Sequence, residues 1–207
     1  MKKIVFLIIF STFIVGSANA QFAFGIKGGL TISDNNIDVI PDTVTDFIYG
    51  YHGGVYFKFG KGLFGFQPEI MFVRKGTKLN DESSDYYRQI NLNYIDVPLL
   101  VRAGISIGGS ELYFNFGPYV GYAISAKIKE NTFDAGQNVW TTEEYDYDFD
   151  HDFTDQWDGG VIMGAGLRLF EKLIIEARYN QGILHIANDN YTSSNNKYLN
   201  ISLGVQF

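Results

Sequence analysis

The chain has 207 residues, no cysteine, a formal charge of −7, and 23 glycines, 14 tyrosines and 18 phenylalanines. An acidic chain with no basic cluster argues against a nucleic-acid partner, and the lack of cysteine removes both a disulfide framework and a lipid-modified anchor. After the N-terminus, no stretch approaches the roughly 18 uninterrupted apolar residues of a spanning helix.

Met1 to Ala20 opens with Lys2 and Lys3, runs almost wholly apolar from Ile4 to Val15, and closes on Ser17-Ala18-Asn19-Ala20. That is the pattern of a secretory signal peptide with a small-x-small cleavage site. The mature chain is expected to begin at Gln21 and to form one domain over residues 21–207, with its charge at −9 once Lys2 and Lys3 are removed. The remaining 187 residues suit about eight strands with long loops.

Phe22, Phe24, Ile26 and Leu30 alternate with Ala23, Gly25, Lys27, Gly29 and Thr31, which predicts a first strand, followed by a polar loop from Ser33 to Asp46. In the second strand, Ile48 to Phe59, Tyr49, Tyr51, Val55, Phe57 and Phe59 oppose Gly50, His52, Gly54 and Lys58, and Gly60-Lys61-Gly62 makes a turn. The third, Leu63 to Lys75, sets Phe64, Phe66, Pro68, Ile70 and Phe72 against Gln67, Glu69, Met71, Val73 and Lys75, before a second polar loop from Thr77 to Gln89. The fourth begins near Ile90 and carries Ile95, Val97, Leu99, Val101 and Ala103 opposite Asp96 and Arg102. Leu92 and Tyr94 fall on the other parity, which predicts a bulge near Tyr94.

Gly104 to Ser110 reads as a turn, Leu112 to Lys127 as the fifth strand, and Ile128 to Gln156 as the longest and most acidic loop. In the sixth strand, Trp157 to Leu169, Val161, Met163, Ala165 and Leu167 oppose Asp158, Gly164 and Arg168. After Phe170-Glu171-Lys172, the seventh opposes Leu173, Ile175, Ala177 and Tyr179 to Glu176, Arg178 and Asn180. Ala187 to Asn196 leads to a closing strand in which Leu199, Ile201, Leu203, Val205 and Phe207 share a face. Pro68, Pro98 and Pro118 lie inside strands and are expected at bulges or strand ends.

Long and short connections alternate, as in an up-and-down barrel with short periplasmic turns and long extracellular loops. Nearly every charge within a strand opposes the apolar face, and a lipid-facing Lys or Arg costs about 2 to 4 kcal/mol at mid-bilayer. The expected fold is therefore all-β: a single antiparallel eight-stranded transmembrane barrel, apolar outside and polar within. Its expected address is the cell outer membrane, with membrane lipid around it and the barrel-assembly machinery as a partner during insertion.

Lys27, Lys58, Glu69, Asp96, Arg102, Asp158, Arg168, Glu176 and Arg178 would then point into the lumen. Eight strands leave an interior just wide enough for side chains, so the preferred reading is an ion-pair network that plugs the barrel; the sharper alternative is a narrow polar pathway or proton relay. In the third long loop, Asp146, Asp148, Asp150, Asp152 and Asp155 could offer oxygen ligands to calcium, but the turn glycine and distal Glu of an EF-hand are missing, and a solvated acidic loop is preferred. His52, His151 and His185 form no metal-ligand spacing. No nucleophile and base pair can be picked out, no phosphate-binding loop is present, and no cofactor is expected. Trp140, Tyr145, Tyr147, Phe149, Phe153 and Trp157, in or beside the acidic loop, form a candidate contact surface for a protein partner; the alternative is that they cap the barrel mouth.

Gly25-Ile26-Lys27-Gly28-Gly29-Leu30, Gln67-Pro68-Glu69-Ile70 with Lys75-Gly76, Tyr94-Ile95-Asp96-Val97-Pro98-Leu99-Leu100-Val101-Arg102, Gly117-Pro118-Tyr119-Val120-Gly121 and the terminal Leu203-Gly204-Val205-Gln206-Phe207 give the chain a likeness spread over its mature length. It resembles the PorT-like family of outer-membrane β-barrels. That family usually carries Glu at the place of Asp96 and Lys at that of Arg102, and it carries Pro at the places of Pro68 and Pro98. The resemblance implies a fold and an address, not an activity. A small non-enzymatic barrel acting through its extracellular loops is the leading reading. A transport, secretion or gliding accessory follows, because the family includes such a component, and a soluble lipocalin-like barrel comes third.

Overall fold

In a bilayer every backbone N–H and C=O needs a partner within the protein, and among β arrangements a closed sheet supplies one for each. The computed structural model describes residues 22–34, 43–46, 48–60, 63–81, 86–134, 139–147, 156–183 and 197–207. Its strands are β1 (Phe22–Asp34), β2 (Thr43–Asp46), β3 (Ile48–Phe59), β4 (Phe64–Asp81), β5 (Tyr86–Ile107), β6 (Ser110–Asp134), β7 (Val139–Tyr147), β8 (Trp157–Leu169), β9 (Leu173–Gly182) and β10 (Lys197–Gln206). Antiparallel pairing runs from β1 through β3, β4, β5, β6, β8, β9 and β10 and returns to β1, closing an eight-stranded up-and-down barrel. At the seam Phe207 N–H donates to Phe24 C=O at 2.7 Å, Phe24 N–H returns to Phe207 C=O at 3.3 Å, and the two rings stack at 5.2 Å.

The alternation sorts side chains as an apolar solvent requires. Phe24, Ile26, Val101, Phe116, Met163 and Leu203 are exposed on the outer wall, and Lys27, Glu69, Asp96, Arg102, Glu176 and Arg178 are buried within it. Aromatic contacts gather at both ends of the wall: Phe22 with Phe57 and Phe59 near the short turns, Tyr51 with Phe72 and Tyr122 with Trp157 near the long connections. These are the girdles of a membrane barrel. Arg74, on the outer face, keeps its guanidinium 5.8 Å from the Tyr51 ring, at the level where an aromatic belt and a cation both suit lipid headgroups.

Each strand proline sits where one ladder breaks and the other holds. Pro68 pairs with Leu99 but falls in the gap between β3 and β4; Pro98 pairs with Tyr119 but falls in the gap between β4 and β5; Pro118 pairs with Val161 while the β5 and β6 ladder skips it. The missing N–H is thus placed where no ladder bond is made. Near Tyr94 the register between β5 and β6 shifts, but the expected reason needs correction. Asn93 pairs with Ser125 and Tyr94 with Ala123, so the extra residue is Ile124 on β6. Leu92 and Tyr94 are lumen-facing and buried, in line with Asp96.

Several segments expected to be loops are strand. β1 continues to Asp34, β4 to Asp81, and β5 starts at Tyr86 and runs to Ile107, leaving Gly108 and Gly109 as the turn. Within the stretch from Ser33 to Asp46, β2 pairs with the end of β4. The stretch from Ile128 to Gln156 is no simple loop either: β6 runs on to Asp134, and β7 folds back along it from Asp134↔Val139 to Ala126↔Tyr147. At the long-connection end the sequence of these extensions is polar and carries no apolar alternation to mark them as strand. The expected leader, residues 1–20, lies outside the described residues.

At the short-turn end, Lys172 N–H donates to Leu169 C=O at 3.0 Å, and the two residues between, Phe170 and Glu171, have φ of 52° and 64°. A two-residue hairpin of this kind requires φ > 0 at both central positions and favours Asn and Gly there. For residues with a Cβ the left-handed conformation costs about 1 to 2 kcal/mol each.

Candidate functional site

The lumen is filled by three layers of charge. Nearest the short turns, Glu111 accepts from three cations: Lys58 at 3.2 Å, Arg168 Nε at 2.9 Å and Arg102, whose Nε and Nη2 approach at 3.2 and 3.1 Å. The Arg102 guanidinium also donates to Gln67 at 3.0 Å and lies 3.4 Å over the Tyr113 ring. Its planar fork is suited to serve a carboxylate, an amide and an aromatic face together.

In the middle layer Arg178 grips Glu69 with two parallel bonds of 2.7 Å and reaches Glu176 through Nε at 2.6 Å. Lys27 bridges the same two carboxylates at 3.0 and 2.8 Å. Gln67 adds a bond to Glu69 Oε1, and Tyr113 and Asn115 both donate to Glu176 Oε2. Two acids and two bases, all buried, make a neutral and densely bonded plate across the barrel.

Toward the long connections, Lys75 supplies one ammonium to two carboxylates, Asp96 at 2.9 Å and Asp158 at 2.8 Å. Three rings from three strands surround it, with centroids of Tyr94, Tyr198 and Tyr119 at 4.3, 4.5 and 5.1 Å. The Tyr198 and Tyr119 hydroxyls donate onward to Asp96 and Asp158. An ammonium dried in this way is attracted by ring faces and carboxylates alike.

Between the middle and upper layers lies a cavity of about 10 Å³, bordered by Lys27, His52, Asp96, Arg178, Asn200 and Ser202, about the space of one water. His52 joins two strands here, Nδ1 at 3.1 Å from Thr31 Oγ1 and Nε2 at 2.7 Å from Ser202 Oγ. A hydroxyl against an imidazole is a nucleophile-like pairing, but a space of one water admits no substrate to it.

The structure thus brings Lys27, Glu69, Glu176 and Arg178 into one group, Lys58, Arg102 and Arg168 into a second, and Asp96 and Asp158 into a third. Sequence reasoning missed their centres. In the sequence Lys75 stands on the inner face with no local partner, and Glu111 stands beside the turn expected from Gly104 to Ser110. The interior tyrosines were missed because tyrosine reads as apolar. A soluble lipocalin-like barrel is set aside, since it would require the apolar faces to point inward.

The expected partner-contact residues separate. Tyr145 lies on the exposed run from Thr141 to Asp146 of β7, and its hydroxyl donates to Glu130 at 2.8 Å across the hairpin. Trp157 belongs instead to the barrel wall, edge-on to Tyr122 at 5.0 Å. Trp140 and Tyr147 sit on β7, while Phe149 and Phe153 lie outside the described residues, as do Asp148, Asp150, Asp152, Asp155, His151 and His185. Asp146 approaches Lys127 at 3.7 Å and Glu144 approaches Lys129 at 2.9 Å. Bonds from Lys129 and Lys127 hold the Glu144 carboxyl below the usual carboxylate range. Among the described residues no cluster of three or more His, Cys, Asp or Glu could hold a metal ion.

Solved structures with similar folds include Ail, the attachment invasion locus protein of Yersinia pestis, at 15% identity, covering 90% of this chain and 99% of that one with a TM-score of 0.46. OprG from Pseudomonas aeruginosa matches at 11% identity over 91% and 97%, with a TM-score of 0.48. Neisserial surface protein A matches at 9% over 89% and 99%, with a TM-score of 0.43. No curated protein matches the chain. The model of the outer membrane protein beta-barrel domain matches residues 17–188, and with the closed barrel, the apolar outer wall and the charged lumen described above, the chain belongs to that family and resides in the cell outer membrane.

Proposed function

We propose that the protein is a non-enzymatic display barrel: exported by its N-terminal leader, inserted by the barrel-assembly machinery, and presenting a β-sheet beyond the membrane to a protein partner. The observation that carries this reading is the continuation of β4, β5 and β6 past the barrel, widened by β2 on one side and β7 on the other. Three charge layers fill the lumen below it and the outer wall faces lipid, which leaves the extracellular sheet and its connections as the accessible surface. The finer PorT-like placement, and with it a role as an accessory to transport, secretion or gliding, rests on the resemblance of the strand motifs.

The test is to replace residues 133–155 by a short Gly-Ser linker, which removes β7 and the end of β6 and leaves the β5–β6 and β6–β8 pairings intact. The shortened protein should insert and remain heat-modifiable on a gel, yet lose partners that the full chain retains in pull-downs from native membranes. Unchanged partners would overturn the reading. Failed insertion would show that the hairpin serves the fold.

A further inference from the structure

At the long-connection end the strands run on as one sheet in the order β2, β4, β5, β6, β7, and such a sheet has two edges. β2 is only four residues long, which blunts its edge. β7 is nine residues long and pairs with β6 in an unbroken register from Asp134↔Val139 to Ala126↔Tyr147. Among the described residues no strand pairs with its other edge. The sequence of β7, Val-Trp-Thr-Thr-Glu-Glu-Tyr-Asp-Tyr, is rich in β-branched and aromatic residues, and it has neither the Lys, the Pro nor the bulge that commonly guards an edge strand.

Charge decides what such an edge accepts. β7 carries Glu143, Glu144 and Asp146 and no cation, and the run from Thr141 to Asp146 is exposed. On one face the β6 lysines answer two of these acids: Lys129 meets Glu144 at 2.9 Å, and Lys127 meets Glu144 at 3.4 Å and Asp146 at 3.7 Å. Glu143 is on the other face, where neither lysine lies. It stands directly opposite Glu130, a like-charge pairing that weakens a ladder. A second copy of β7 laid antiparallel about its midpoint would set Glu143 against Glu143, so the strand is a poor partner for itself.

We propose that the outer edge of β7 takes an added strand: an extended, lysine- or arginine-bearing segment of a partner protein pairs with Val139–Tyr147 and sets a cation beside Glu143. This mode of contact presupposes the display reading above and names the partner's chemistry. Main-chain bonds to the edge supply affinity, and alternate side chains select the segment.

The probe is a labelled synthetic peptide of the length of β7 that alternates Lys with Val, added to the full-length protein folded in detergent micelles and checked by its heat-shifted band. It should bind, and it should slow amide hydrogen exchange in β7. Two other peptides should not bind: one with Glu in place of each Lys, and one with Pro in place of each Val, which keeps every charge but cannot pair as a strand. Glu143→Lys places a cation opposite Glu130, which spares the hairpin, and should weaken binding of the Lys-Val peptide about tenfold or more. No binding of that peptide, equal binding of either control, or unchanged binding to Glu143→Lys would each overturn the proposal. Should the peptide fail to bind while removal of residues 133–155 still costs the native partners, strand addition is refuted and the display reading stands. Native partners retained by the shortened protein would refute the display reading, and with it any native use of this edge, even where the peptide binds.

Discussion

Replacing Lys75 with methionine keeps the length of the stem and removes the one cation that Asp96 and Asp158 share. At 2.9 and 2.8 Å, each attraction amounts to about 6 kcal/mol at an effective dielectric constant of about 20. Most of that is offset by the cost of drying three charged groups, so the net worth of the intact box is far smaller than the gross attraction. The variant meets a different cost. Two carboxylates stay buried without the ammonium, and breaking a buried pair in this way costs about 3 to 5 kcal/mol. With a urea slope of about 3 kcal/mol per M, the unfolding midpoint of vesicle-inserted protein falls by about 1 to 1.7 M. Adding Asp96→Asn and Asp158→Asn empties the box of charge and should recover most of the loss, because a neutral set of similar volume leaves nothing uncompensated. The assay is a urea titration followed by tryptophan fluorescence and by the heat-shifted band. A single-variant loss below about 1 kcal/mol, the scale of a surface pair, would refute the assignment, as would a triple variant no more stable than Lys75→Met.

Glu111→Gln leaves Lys58, Arg102 and Arg168 facing one another and should cost about 3 kcal/mol; since Lys58 and Arg168 are partly wet, added salt should restore part of that loss in the same titration, but little of the Lys75→Met loss. Gly166→Ala drives a methyl into the Tyr113 ring, whose hydroxyl is committed to Glu176, and should cost about 1 to 3 kcal/mol; an unmoved midpoint would show that the ring yields. Planar-bilayer recordings of the wild-type protein should show no sustained open channel, and a steady large conductance would favour the transport reading over the display reading.

The wall was legible because one solvent, lipid, imposes one rule on every residue that faces it. β3 and β8 were bounded in the sequence at the residues where they begin and end, Ile48 to Phe59 and Trp157 to Leu169. Where the strands leave lipid the rule lapses. The residues from Asn131 to Asp134 and from Thr141 to Tyr147 show no alternation that hydrophobicity can detect, and their strand character is visible only in the pairing of β6 with β7. The interior was legible in its charges and not in its geometry. Tyr94, Tyr119 and Tyr198 come from β5, β6 and β10, and no local pattern announces that three rings will meet around Lys75. His52 and Ser202 are likewise 150 residues apart in sequence, and meet because β1 lies between their strands.

The three layers are not equal in sign. The layer by the short turns gathers three cations around Glu111, the middle plate is balanced, and the layer by the long connections gathers two carboxylates around Lys75. An anion arriving from outside meets carboxylates first, and a cation arriving from the periplasm meets guanidinium and ammonium groups first, so the two mouths repel opposite species. Loosening one layer opens the lumen to neither sign of ion, because the layer that stays shut is the one that repels the species the other would admit. A leak through this barrel would have to breach both charged ends and the balanced plate between them.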